Sequence, residues 1–144
     1  MAKQHYDILL VEDNPADIRI TQEAFKEAGV GNNLRIVKDG LEALVYLKQE
    51  APHHNAPRPD LILLDLNMPR LDGREVLAEI KNDGALRKIP VIILTTSEAD
   101  EDILNSYNLH ANCYIPKPID LDEFIEVIRS IEDFWLTLVI LPPK

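Results

Sequence analysis

Apolar residues along this chain fall into two patterns: short, nearly continuous runs, and longer stretches spaced at helical intervals. Four runs read as strands, Ile8–Val11, Leu61–Leu66, Val91–Leu94 and Cys113–Ile115, with a weaker one at Leu34–Val37. The stronger runs are apolar at consecutive positions. Side chains of a strand point alternately to its two faces, so such runs suit parallel strands covered on both sides. Helical patterns lie between them. Asn14–Pro15 offers an N-cap followed by proline at the first helical position, where its missing N–H costs nothing. Asp39/Glu42, Asp72/Glu75 and Asp120/Glu123 have the spacing of capping-box variants. In the last helix, Leu121, Phe124, Ile125, Ile128, Ile131 and Trp135 trace one face. Gly29 and Gly31 are expected to close the first helix. The order is strand then helix, five times over. It predicts a doubly wound α/β domain with right-handed crossovers and a five-stranded parallel sheet in the order 2-1-3-4-5.

Composition narrows the setting. A chain of 144 residues has room for one domain, and 46% hydrophobic with 28% charged residues suits a folded globular protein. The formal net charge of −10 argues against nucleic acid and anionic membranes as partners. No apolar run approaches the length of a bilayer span, and the opening MAKQHYD is too short and polar for a signal peptide. Cys113 is the only cysteine, which excludes an internal disulfide and a thiolate-rich zinc site and leaves core packing as its expected role. A reducing, cytoplasmic setting follows as the expectation. His53 and His54, in the loop Ala51–Pro59, are expected to be solvent-exposed rather than metal ligands.

Candidate chemistry gathers at the strand ends. In open α/β sheets ligands bind outside the carboxyl ends of the strands, near the switch point of the topology. Glu12–Asp13 ends the first strand, Asp65 the third, Thr95–Thr96–Ser97 the fourth, and Lys117–Pro118 follows the fifth. Three carboxylates converging there would repel one another unless a cation lay among them, and an all-oxygen site suits Mg²⁺ (or Mn²⁺). Asp65 is the natural nucleophile, because a carboxylate can attack phosphorus without a general base. Lys117 supplies a point charge and the Thr95 hydroxyl a hydrogen bond for phosphoryl oxygens. Phosphoryl transfer is largely positioning and charge stabilisation, so these parts suffice. Asn67 and Ser97 flank the pocket and are candidates for tuning attack of water on an acyl phosphate.

The set Glu12–Asp13, Asp65, Thr95 and Lys117–Pro118, with the segment DLNMPRLDG around Asp65, resembles the signature of response-regulator receiver domains over about residues 5–131. The resemblance implies a flavodoxin-like fold, a receiver over residues 1–133, and Asp65 as phosphoacceptor for a separate histidine kinase. It implies Mg²⁺ held by Asp13, Asp65 and the backbone carbonyl of Asn67, with Glu12 acting through water, and a cis peptide bond between Lys117 and Pro118. It further implies that Thr95 and Tyr114 couple phosphorylation to a signalling face of the fourth helix, fifth strand and fifth helix. Asn112 stands where many relatives have glycine, and Pro116 precedes Lys117; both bear on how freely this loop rearranges.

The end of the chain, FWLTLVILPPK, is read as an apolar extension over residues 134–144 with no output domain of its own. A free tail carrying Leu136, Leu138, Val139, Ile140 and Leu141 would be an aggregation hazard. Either Phe134 and Trp135 cap the core and the rest folds back or, the favoured expectation, the tail with Phe134, Trp135, Leu136 and Leu138 buries in a homodimer. The tail, the opening VEDNPADIR and the long loop before the third strand also resemble the small response regulators of bacterial and cyanobacterial phytochromes, which would make the phosphodonor a light-regulated kinase. Two other functions compete. One is a haloacid-dehalogenase-like hydrolase, which would need an acid where Asn67 stands. The other is a pseudo-receiver that binds partners without phosphorylation, against which the complete acidic set argues.

Overall fold

The computed structural model describes residues 6–28, 32–68, 70–96, 99–117, 120–138 and 140–142. Gly29, Gly31, Ser97, the Lys117–Pro118 peptide bond, Val139 and the side chains of Leu136 and Leu138 lie outside them. The described elements are β1 (Tyr6–Val11), α1 (Pro15–Ala28), β2 (Asn32–Val37), α2 (Gly40–Leu47), β3 (Leu61–Leu64), α3 (Gly73–Asn82), β4 (Val91–Thr95), α4 (Asp100–Asn108), β5 (Cys113–Pro116) and α5 (Leu121–Ile131). The strands pair in parallel in the order β2-β1-β3-β4-β5, as expected. The fold is flavodoxin-like.

The continuous apolar runs are explained by two cores, one on each face of the sheet. Leu9, Val11, Ile62, Leu64, Val91 and Ile93 point to one face, under α2 and α3. Their neighbours Ile8, Leu10, Leu61, Leu63, Ile92 and Leu94 point to the other, under α1 and α5. Every one of these positions is removed from water, so a single polar substitution at any of them faces a dry layer whichever way it points.

Helix starts follow the expected caps. Asn14 Oδ1 accepts from the N–H groups of Ala16 and Asp17 at 2.9 and 3.2 Å. Asp72 and Glu75 form the full reciprocal box at α3. Asp39 and Asp120 accept from the backbone N–H of Glu42 and Glu123. Glu42, however, reaches back to the N–H of Lys38 instead of closing a box on Asp39.

Several expectations need correction. β3 ends at Leu64 rather than Leu66, because the Leu66 carbonyl turns away from the sheet to accept from Gly73 N–H at 2.9 Å. Leu121 is 44% exposed: as the first residue of α5 it has no preceding turn to pack beneath. Cys113 is only half-buried, since β5 is an edge strand. His53 is partly covered by the Tyr46 ring, with centroids 5.2 Å apart, while His54 is exposed. After α5 the chain widens into a π-helical segment, Glu132–Leu138. Within the extension, Trp135 and Leu141 pack on the α1/α5 core, whereas Phe134 (50%) and Ile140 (95%) are exposed.

Asn112 has a structural reason to differ from glycine. Its Oδ1 accepts from Val91 N–H at 2.9 Å and from Lys81 Nζ at 3.1 Å, bracing the start of β4 against the turn into β5. Among the described residues, no helix is long and apolar enough to cross a membrane.

Candidate functional site

Parallel pairing brings the carboxyl ends of β1, β3, β4 and β5 to one edge, and the ladder continues one residue past the strands. Glu12 N–H donates to Val37 O (3.0 Å), Asp65 N–H to Val11 O (3.1 Å) and Lys117 N–H to Thr95 O (2.7 Å). These bonds fix the backbone from which each functional side chain projects. Beyond Asp65 the chain turns sharply: Asn67 N–H donates to Asp65 Oδ1 at 3.3 Å, and α3 starts at Gly73 directly against the Asp65–Leu66 backbone.

Glu12, Asp13 and Asp65 each offer a carboxylate oxygen, all within 4.8 Å of one another. Glu12 and Asp65 are buried and Asp13 is exposed, so the group is open on one side. The Lys117 ammonium enters this cluster, with only 5% of its side chain exposed. It bonds to Glu12 Oε1, to Asp17 Oδ2 at 2.7 Å and to Asp65 Oδ2 at 3.4 Å. Burial pushes the Glu12 carboxyl up to about 7; the Lys117 hydrogen bond opposes the rise and the Asp65 charge adds to it. Burial alone would lower Lys117, but hydrogen bonds to Asp17 and Glu12 and the Asp65 charge outweigh it and hold the lysine above its ordinary value.

Thr95 closes β4 fully buried, and its Oγ1 has no hydrogen-bond partner among the described residues. A buried hydroxyl left unmade costs about 1–3 kcal/mol, so this group gains from any acceptor delivered to the edge. Tyr114, on the edge strand, is half-buried against the α2/α3 core. Asn67 is exposed. Phe134 and Trp135 lie away from this edge, stacked edge-to-face at 5.4 Å beside Cys113, Ile115 and Ile131.

Sequence reasoning missed Asp17. It sits in the first turn of α1, four residues after Asp13, and its carboxylate grips Lys117 one hundred residues away. A helix that starts at the active edge necessarily presents its first turn there, and that was the available signal. Arg74 was also missed: its guanidinium joins Asp72 at the head of α3 to Asp102 in α4, with N–O distances of 3.1 and 2.7 Å.

The donor set fits a hard divalent ion. It consists of carboxylate oxygens only, partly open to solvent, and it already accommodates a positive charge in the form of Lys117.

Comparison with known proteins agrees. Residues 8–129 match the response regulator receiver domain family. The chain is 50% identical over 135 residues to the response regulator Rcp1 of Synechocystis sp., covering 94% of this chain and 92% of that one. The crystal structure of the phosphorylated cyanobacterial phytochrome response regulator RcpA superposes with a TM-score of 0.93 at 53% identity, covering 97% of this chain and all (100%) of RcpA. The Mn²⁺-bound form of Rcp1 superposes with a TM-score of 0.90 at 49% identity, covering 96% and 99%. With the fold, the edge and the family pattern in agreement, this chain belongs to the response regulator receiver domain family.

Proposed function

We propose that the chain accepts a phosphoryl group on Asp65 from a phytochrome-type histidine kinase and passes the signal on through the face formed by α4, β5 and α5. The observation that carries this is the meeting of Asp65 with Glu12, Asp13 and Lys117 at one edge, beside a Thr95 hydroxyl without a partner among the described residues. An Asp65 carboxylate oxygen forms the bond to phosphorus as the phosphohistidine P–N bond breaks, and the departing nitrogen keeps the electron pair. Lys117 and Thr95 then face new anionic oxygens, which offer the buried Thr95 hydroxyl an acceptor and the Lys117 ammonium a further charge to pair. A divalent ion, Mg²⁺ or Mn²⁺, held by Glu12, Asp13, Asp65 and the Asn67 carbonyl, would supply charge neutralisation at the transferring group. As Thr95 moves toward the phosphoryl group, Tyr114 follows on the neighbouring strand, which is the proposed route to α4 and α5.

The Asn67 amide is far too weak an acid to protonate a leaving group, so turnover of outside substrates is not part of the proposal. Asn67 and Ser97 are proposed to set the lifetime of the acyl phosphate, and substituting either should change the dephosphorylation rate. The setting proposed is cytoplasmic. The direct test is intact mass after incubation with Mg²⁺ and acetyl phosphate. One added phosphoryl group, absent when EDTA replaces Mg²⁺, is expected; no adduct from acetyl phosphate or any kinase would sink the proposal.

Glu12 gives a pH dependence with a definite sign. In the ion-free protein its carboxyl holds its proton up to about 7, whereas a bound cation requires the carboxylate. Mg²⁺ binding below that pH should therefore release up to one proton, and affinity should fall as pH drops through 7. Calorimetry at pH 6 in buffers of different ionisation enthalpy should show the release, and the same titration at pH 8.5 should not.

We also propose that the exposed Phe134 belongs to a homodimer contact. Trp135 and Leu141 are engaged with the chain's own core, so the contact is narrower than the whole extension. Sedimentation of Phe134→Glu should shift toward monomer without loss of fold; unchanged association would refute it.

A further inference from the structure

We infer that Asp17 is a positioning residue for Lys117: the docking point that keeps the buried ammonium paired when the acidic cluster takes up a divalent cation. This deepens the function proposed above and rests on it. Lys117 Nζ touches three carboxylates, and two of them, Glu12 and Asp65, belong to the cation cluster. Asp17 does not. An ammonium and a divalent ion repel each other and cannot share the same oxygens at full strength, so an entering ion forces Lys117 to loosen its hold on Glu12 and Asp65. Lys117 cannot simply retreat to water, because its side chain is almost fully enclosed. A buried charge that loses its partners is strongly disfavoured. Asp17 solves this geometrically. Its Oδ2 already lies 2.7 Å from Nζ, closer than Asp65, and three-quarters of its side chain is shielded from solvent. Its backbone is pinned by the Asn14 cap, so the carboxylate is presented in a fixed place. The ion then competes with Lys117 for two partners rather than for all of them.

The plainer account of Asp17 is an acidic residue favouring the N-terminus of α1. That role would not depend on Lys117, and a double-mutant cycle separates the two. Mg²⁺ dissociation constants are to be measured by calorimetry for the wild type, Asp17→Asn, Lys117→Met and the double variant. Asp17→Asn should weaken Mg²⁺ binding by about tenfold, the size of one charge-assisted hydrogen bond. In the Lys117→Met background the same change should cost less than about twofold. Asp17→Glu should recover part of the loss. An equal effect of Asp17→Asn in both backgrounds, or no effect in the wild type, would overturn the inference. Should Lys117→Met fail to fold, the Lys117 ammonium can be followed by ¹⁵N NMR. Its protons should stay protected from exchange with Mg²⁺ present in the wild type and lose protection in Asp17→Asn, and equal protection in both would overturn the inference. A wild type that binds Mg²⁺ but never takes up a phosphoryl group would instead refute the functional proposal, leaving the Asp17–Lys117 coupling to stand on the cycle.

Discussion

Asp65→Asn should leave the chain unlabelled by acetyl phosphate and Mg²⁺ under conditions that label the wild type fully. The amide is nearly the same shape as the carboxylate but lacks its charge and its nucleophilic oxygen, so the labelling rate should fall by at least about 10³-fold, on the scale of deleting a nucleophile. A folding defect is not expected to explain the result. Asp65 is one of three carboxylates that share a single ammonium, Lys117, and removing one negative charge from that cluster relieves repulsion. The ion-free variant should therefore melt at the wild-type temperature or above it. Mass spectrometry and a thermal scan on the same preparation check both halves. Persistence of the label on Asp65→Asn at the wild-type rate would place the phosphoacceptor elsewhere.

That prediction could be written from the sequence, and it is instructive which others could not. The sheet order and both cores were legible because consecutive apolar runs such as Leu61–Leu64 have one structural explanation, burial on both faces. The edge was legible for the same reason: parallel strands put Asp13, Asp65, Thr95 and Lys117 at one end whatever the loops do. What escaped was side-chain reach. Asp17 looks like an ordinary first-turn acid until a lysine from the far side of the chain arrives beside it. Asn112 looked like a departure from glycine bearing on how freely a loop rearranges, and only the tertiary fold shows its amide oxygen serving both Val91 and Lys81. In the extension, helical spacing placed Trp135 on the α5 face but carried no information on how far Leu141 folds back.

Gly73→Ala should be among the most damaging single substitutions in the chain, for reasons of space rather than backbone conformation. A Cβ at residue 73 would lie 2.1 Å from the Asp65 carbonyl oxygen and 2.7 Å from the Leu66 Cα. Both are backbone atoms of the site itself. Neither can rotate away as a flexible side chain would, so α3 must lift from the end of β3. Lifting it disturbs Val76, Leu77 and Ile80, all fully buried, and strains the Gly73 N–H bond to Leu66 O. Overpacking commonly costs 1–3 kcal/mol, and with only backbone to absorb it the loss here should be about 3 kcal/mol or more. Gly84→Ala is the matching control, since an added Cβ there meets nothing within 4 Å, and its stability should stay within about 1 kcal/mol of wild type. Urea titration should show a clear fall in midpoint for Gly73→Ala and little change for Gly84→Ala. Whatever fraction of Gly73→Ala still folds should also label slowly, because the backbone being pushed is the one that aims Asp65. A Gly73→Ala protein as stable as the wild type would mean that α3 can shift without cost, and that the glycine does not set the spacing between the helix and Asp65.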